Sequence, residues 1–176
     1  WREMLTAYSA SYTVAAGVLS AGTGGASGSG WFQNAAGVSR VSSSVTNATA
    51  TMANITGLSA TLIAGRKYLG RFSLQVNQSV AADGFKIDFD GGTATMTSFA
   101  AFTKIWDSTL LLTARTTAIA TDVAVATLTG DGLIEVELGF VCNVAGTFIP
   151  RFALNSASTG TATVYLNSWL MLEDVP

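Results

Sequence analysis

The chain has 176 residues, of which 9 are Lys or Arg, 11 are Asp or Glu and none is His, giving a net charge of −2. Without histidine it lacks the residue needed for imidazole catalysis, an imidazole zinc site or a Ser-His-Asp triad. Scattered basic residues argue against a nucleic-acid partner, and no apolar run reaches the roughly 18 residues of a membrane span. The single Cys142 excludes an intrachain disulfide.

The charged fraction is low for a protein that stays monomeric in water. Charged residues make up 11% of the chain while 49% of it is apolar, whereas soluble domains typically carry about 25% charged residues. A surface with so few charges is typical of a subunit whose flanks are covered by neighbours. We therefore predict an assembly role rather than an enzyme, with no metal and no cofactor.

Residues 1–43 differ in composition from the rest of the chain. The segment 20–30 contains five glycines and three serines, which predicts a linker or a long surface loop. Residues 4–18 alternate loosely and fit a strand or an arm lying on a neighbouring subunit. We predict an irregular N-terminal arm and linker over residues 1–43 and a separate domain over residues 44–176. The chain begins at Trp1 rather than Met, which indicates a fragment or a processed product.

From residue 44 onward, apolar and polar residues alternate with a period of two, as half-buried antiparallel strands require. The apolar sides of the clearest runs are Tyr68, Gly70, Phe72, Leu74 and Val76; Phe85, Ile87 and Phe89; Ile134, Val136, Leu138, Phe140 and Cys142; and Phe148, Phe152 and Leu154. Pro150 interrupts the last run, which confines that strand to a sheet edge or marks a bulge.

Turn signals separate these runs and set the fold class. Asp83-Gly84, Gly91-Gly92 and Asp131-Gly132 lie between apolar runs and are typical of tight turns. Only residues 98–106 have a composition compatible with a helix. The sequence therefore predicts an all-β fold, an antiparallel β-sandwich or jelly roll of about eight strands.

Two carboxylate pairs are the candidates for acid-base catalysis. Asp88 with Asp90 and Glu135 with Glu137 are each spaced two residues apart, so each pair projects from one strand face. Glycoside hydrolysis needs two such facing carboxylates. Outward polar residues have the same spacing on any half-buried strand, so we predict no catalytic residue.

Oxygen ligands for calcium are present in Asp88, Asp90, Asp131 and Asn155. Their spacing matches no recognised calcium-binding loop. Turn formation accounts for these residues, and we predict no metal site.

Aromatic side chains that could stack on sugar rings are the remaining candidates. They are Trp31, Trp106 and Trp169. Trp106 is followed by Asp107 in a region of weak alternation, so we expect it near the surface and predict these two residues as a glycan or partner contact. Trp169 precedes a run of apolar residues and is expected in the core or in an interface. The alternative function is thus a carbohydrate-binding module that uses loop aromatics.

Four short stretches of the chain have a recognisable pattern. They read GLSATLIAGRKY at 57–68, GTAT at 92–95, NVAGT at 143–147 and SWLMLED at 168–174. In these stretches the chain resembles a widespread group of tailed-bacteriophage virion proteins with a jelly-roll-like domain. The resemblance implies an oligomeric, often trimeric, structural domain at the tip of a tail fibre or on the virion surface. It implies no functional residue.

Composition and resemblance lead to one functional prediction. The chain is expected to be a virion structural protein that acts through oligomeric assembly, as a receptor-binding tail-fibre tip or as a capsid decoration. The expected partners are further copies in a homotrimer and other virion proteins, with a host surface glycan in the alternative function. Neither nucleic acid nor a membrane is expected as a partner.

Overall fold

A computed structural model of the protein describes residues 12–15, 18–21, 35–125, 128–156 and 159–175. Backbone contacts divide the chain into two compact units, Trp1–Gln33 and Asn34–Pro176. The described residues of the first unit form an antiparallel hairpin of β1 (Tyr12–Ala15) and β2 (Val18–Ala21). Most of the predicted linker, residues 20–30, lies outside the described residues.

The described part of the second unit is built from strands and one short 3-10 helix, Ala81–Asp83. The strands are β3 (Ala35–Arg40), β4 (Val45–Asn47), β5 (Ala53–Asn54), β6 (Ala60–Leu62), β7 (Lys67–Gln78), β8 (Phe85–Asp88), β9 (Thr95–Trp106), β10 (Leu110–Thr116), β11 (Val123–Val125), β12 (Gly130–Val144), β13 (Gly146–Phe148), β14 (Arg151–Leu154), β15 (Ala162–Val164) and β16 (Trp169–Val175). Within these ranges there is no helix long and apolar enough to cross a membrane.

The strands form a large sheet, a small sheet and one extra pair, and all their pairings are antiparallel. The large sheet has eight strands and runs β10-β9-β12-β7. The other side of β7 is shared, since β16 pairs with its first half and β15 with its last three residues. Strands β3 and β4 add to β16 and β15. The small sheet runs β11-β8-β14-β5, and β6 pairs with β13.

Burial alternates along the central strands as the period-two pattern predicts. The buried residues are Tyr68, Phe72, Leu74 and Val76 on β7 and Ile134, Val136, Leu138, Phe140 and Cys142 on β12. The residues between them on β12, Glu135 and Glu137, are exposed. Both predicted strands and the buried position of Cys142 are therefore confirmed.

Aromatic contacts join the two sheets into a sandwich. Phe89, directly after β8 of the small sheet, has its ring centroid 5.6 Å from that of Phe72 and 5.4 Å from that of Phe99, both on the large sheet. Phe148 adds a stacked contact to Phe89 at 6.3 Å. Rings at these separations pack tightly and bury large apolar areas. The predicted all-β antiparallel sandwich is confirmed, while the jelly-roll connectivity stays a prediction.

Three details differ from the sequence-based expectation. Residues 35–40 were expected in the arm but form β3, in which Arg40 lies opposite Trp169 of β16. The described residues of the second unit contain fourteen strands, β3 to β16, rather than about eight, and many of them are only two to four residues long. Pro150 lies between β13 and β14 rather than inside a strand, and its carbonyl oxygen accepts a hydrogen bond from the Ile55 N–H at 2.9 Å.

Candidate functional site

The outer face of the large sheet, the side turned away from the core, carries a groove. Side chains alternate between the two faces of a strand, so residues adjacent to the buried ones on β7, β9, β12 and β16 share this face. From β16 to β9, one row runs Trp169, Ser73, Glu135 and Lys104, and the next runs Met171, Arg71, Glu137 and Phe102. All but Met171 line the groove.

Two aromatic side chains form the walls of this groove. Trp169 on β16 and Phe102 on β9 are separated by three strand spacings, or about 14 Å between backbones. The groove between them has a volume of about 260 Å³. Phe102 is 41% exposed and Trp169 is partly buried. The walls therefore offer flat apolar surface to anything that enters from solvent.

Charged side chains of both signs cover the floor. An Arg71 Nη2 atom lies 3.1 Å from Glu137 Oε1, and both side chains are about two-thirds exposed, at 66% and 67%. Glu135 lies directly opposite Lys104, whose Nζ is 5.9 Å from the centroid of the Phe102 ring. Two positive and two negative groups leave the groove without net charge, and exposed pairs of this kind add at most about 1 kcal/mol to stability.

An apolar patch, made of Leu69, Ala100, Gly139 and Val141, adjoins the groove on the same face. Gly139 lies opposite both Leu69 and Ala100 in the sheet register, and Val141 follows on β12. Leu69 is 55% exposed and covers Gly139, where an added Cβ would lie 3.2 Å from Leu69 Cδ2. Contiguous exposed apolar surface marks interaction sites more often than single exposed residues do.

The two residues predicted as contacts lie at the end of β9. Trp106 is the last residue of that strand, on the same face as Phe102, and its Nε1 is buried with no hydrogen-bond partner among the described residues. Asp107 begins the following turn. Its Oδ1 accepts a hydrogen bond from the Thr109 N–H at 2.9 Å, and its Oδ2 accepts one from the Thr129 hydroxyl at 3.0 Å.

These bonds change the titration of Asp107 and define its role. The backbone N–H of Thr109, helped by the hydroxyls of Thr129 and Ser108, holds the pKa of Asp107 below its ordinary value, because each donor favours the carboxylate form. The side chain thus organises the β9–β10 turn. Neither Trp106 nor Asp107 lines the groove.

The carboxylate pairs have different environments. Asp88 is 1% exposed and accepts hydrogen bonds from Arg151, one of them from Nε at 2.7 Å. Asp90 lies 3.7 Å from the same guanidinium. Glu135 and Glu137 are both exposed on the open outer face. Catalytic carboxylate pairs usually lie in a cleft with unequal surroundings, whereas the two glutamates are both exposed on an open sheet face.

The possible calcium ligands are not gathered at one place, although Asp88 and Asp90 both contact Arg151. Asp88 is held by Arg151, while Asp131 accepts hydrogen bonds from the Asn77 side chain at 2.9 Å and the Tyr165 hydroxyl at 3.1 Å. Within the described ranges, no group of three or more His, Cys, Asp or Glu side chains is arranged to hold a metal ion. Burial raises the pKa of the Cys142 thiol.

Sequence reasoning did not identify the groove itself. It placed Trp169 in the core or in an interface. This side chain is only partly buried and lines the groove, so it is not a core residue, and the interface stays a prediction. It did not single out Phe102, although Lys104 two residues later could have marked that side of β9 as the outer one. Trp31, the third tryptophan candidate, lies outside the described residues.

No protein-family model, curated protein or solved structure matches the chain. The site is therefore interpreted from its own geometry. That geometry combines a neutral groove, which offers aromatic surface and hydrogen-bonding groups, with an adjoining apolar patch, an arrangement suited to binding.

Proposed function

We propose that this protein is a non-enzymatic structural component of a tailed-phage virion and acts by assembling with further copies of itself, as a homotrimer, and with other virion proteins. The resemblance of four sequence stretches to phage virion proteins supports the proposed location in a virion. The apolar patch supports the assembly and is the observation on which this proposal depends.

Burying the patch removes an unfavourable exposure. Leu69 is 55% exposed, so covering the rest of it contributes about half of the roughly 1.5–3 kcal/mol gained by burying a fully exposed leucine. On its β12 side Leu69 adjoins Gly139, with Ala100 and Val141 nearby, and these three residues are small or only partly exposed. On its β16 side it lies opposite the exposed Glu173, so close packing by a partner is expected on the β12 side. A partner that covers Leu69 therefore also covers the rest of the patch.

A second copy of the chain suits this surface. The net charge of −2 over 176 residues produces little repulsion between copies. Cyclic oligomers of identical chains also need only one or two complementary surfaces on each subunit. The patch provides one of them.

Sedimentation velocity at micromolar concentration tests the assembly. The wild-type chain is expected to sediment at about three times its mass of 18.1 kDa. Leu69→Lys should shift it toward the monomer, because a charge in the buried patch would have to be desolvated. Leu166→Lys is the matched control, since Leu166 is similarly exposed at 49% and lies in the β15–β16 turn.

Two results would count against the proposal. A wild-type chain that remains an 18.1 kDa monomer contradicts the assembly role, and so does equal dissociation of the Leu69 and Leu166 variants. Immunogold labelling of purified virions with antibodies to this chain tests the proposed virion location separately. Labelling should appear at a fixed position on the tail or head.

A further inference from the structure

We propose that the groove between Trp169 and Phe102 is a binding site for a neutral saccharide. This inference does not depend on the virion role, because the groove is lined by residues other than those of the apolar patch, which adjoins it on the same face. It also places sugar recognition away from Trp106 and Asp107, on the open outer face of the large sheet.

The aromatic walls account for the first part of recognition. One face of a pyranose ring carries C–H groups that are apolar and slightly positive, and these pack on the negative face of an aromatic ring. Phe102 is 41% exposed, and Lys104 Nζ lies over its ring at 5.9 Å from the centroid. A sugar ring seated on Phe102 therefore displaces this ammonium group and removes apolar surface from water at roughly 25 cal/mol per Å². Trp169 lines the other side of the groove and offers a second apolar surface.

The floor accounts for the hydroxyl groups. Glu135 and Glu137 can accept hydrogen bonds from hydroxyls, whereas Arg71 and Lys104 can donate to them. Hydrogen bonds to charged groups are roughly twice as strong as those between neutral groups. A polyhydroxylated ring is both donor and acceptor at each hydroxyl, so it can use both kinds of side chain.

The charge balance selects a neutral ligand. Two cationic and two anionic side chains line the groove, and one pair of them, Arg71 and Glu137, is already in contact at 3.1 Å. A phosphate or an acidic sugar would meet as much repulsion as attraction. A neutral sugar meets neither and uses only the directional hydrogen bonds.

The backbone of the floor argues against a peptide ligand. Peptides that bind to sheets usually pair with a free strand edge through main-chain hydrogen bonds. The floor strands β7 and β12 are each paired on both sides, so their backbone groups are occupied. A ligand in the groove can therefore be bound only by side chains, and this favours a sugar over an extended peptide.

Binding to a glycan array of neutral and acidic glycans is the first test. The wild-type chain is expected to bind a subset of neutral glycans. Saturation-transfer difference NMR with soluble methyl pyranosides of glucose, galactose, mannose and N-acetylglucosamine then separates recognition of a free sugar from recognition of a surface glycan. In the NMR experiment, the ring protons of a bound sugar should receive saturation from the aromatic side chains of the groove.

Two variants test the site against a matched control. Phe102→Ala should weaken binding at least about tenfold, and Glu135→Gln about fivefold, because they remove a stacking surface and a charged acceptor. Val38→Ala is the control, since Val38 is exposed on the same face but does not line the groove. Circular dichroism checks that each variant folds. If Phe102→Ala does not fold, Glu135→Gln alone tests the site.

Several outcomes would overturn the inference. They are an array and NMR titration without binding, binding dominated by acidic glycans, or binding that survives both groove variants unchanged. Sedimentation of the same samples reports assembly independently, so failure of sugar binding is distinguishable from failure of the proposed virion role.

Discussion

Asp88 and Arg151 face each other across β8 and β14 and form an ion pair with two hydrogen bonds in which the carboxylate is almost wholly buried. Asp88 is 1% exposed, and its Oδ1 also accepts a hydrogen bond from the Asp90 N–H at 3.3 Å. Arg151 donates from Nε and Nη2, and the hydrogen bond to Asp88 raises the pKa of the guanidinium. The pair joins two neighbouring strands of the small sheet.

Arg151→Leu should destabilise the fold by about 3–5 kcal/mol, because it leaves the Asp88 carboxylate buried without a cation. Arg71→Leu is the control, since its ion pair with Glu137 is exposed and should cost about 0–1 kcal/mol. Urea unfolding followed by tryptophan fluorescence measures both. Equal midpoints for the two variants would contradict a special role for the buried pair.

Thr103 leads to a prediction of the opposite sign. It is 0% exposed on the inner side of β9, and its hydroxyl has no hydrogen-bond partner among the described residues. An unsatisfied buried hydroxyl costs about 1–3 kcal/mol. Thr103→Val keeps the shape and removes the hydroxyl, so it should raise the free energy of unfolding by about 1 kcal/mol. The exposed Thr113→Val on β10 should leave it nearly unchanged, and a destabilised Thr103 variant would show that the hydroxyl is satisfied.

The turn held by Asp107 should respond to acid. Because the Thr109 N–H lowers the pKa of Asp107 in the folded chain, the stabilisation is complete above the carboxyl pKa of the unfolded chain. It is then lost as the pH falls through the lowered folded value. Carboxyl carbon NMR should give a pKa below that of an unstructured aspartate, and Thr129→Val should move it part of the way back. An ordinary pKa in the wild-type chain would be inconsistent with the turn geometry.

The sequence revealed the strands that bury one side against the core. On β7 and β12 the burial pattern follows the period of two at nearly every position, because each strand has a core side and a solvent side. Strands of two or three residues carry too few positions to show a period, so β4, β5 and β6 were not visible. Strand β3 pairs with β16 through backbone hydrogen bonds, which any residue type can supply.

The candidate site was harder to predict because β9 breaks the pattern. Thr103 is buried while Phe102 is exposed, which reverses the usual distribution of polar and apolar residues and hides the outer side of the strand. Asp88 is similar, since it is on the solvent side of its strand but is covered by Arg151, 63 residues later. Trp169 and Phe102 line one groove only because β16, β7, β12 and β9 pair in this register. The sequence of a single strand does not show that pairing.

Gly92 supplies a last test of how tightly the sandwich is closed. A Cβ at this position would overlap the carbonyl oxygen of Thr147, whereas at Gly139 the nearest atom is the flexible end of Leu69 at 3.2 Å. Gly92→Ala must move backbone and should cost about 1–3 kcal/mol, while Gly139→Ala needs only a small side-chain adjustment and should cost well under that. Thermal unfolding of the two variants compares them directly. A lower melting temperature for Gly139→Ala than for Gly92→Ala would mean that the Gly92 turn can move away from Thr147, and that the close contact between these segments is not required for the fold.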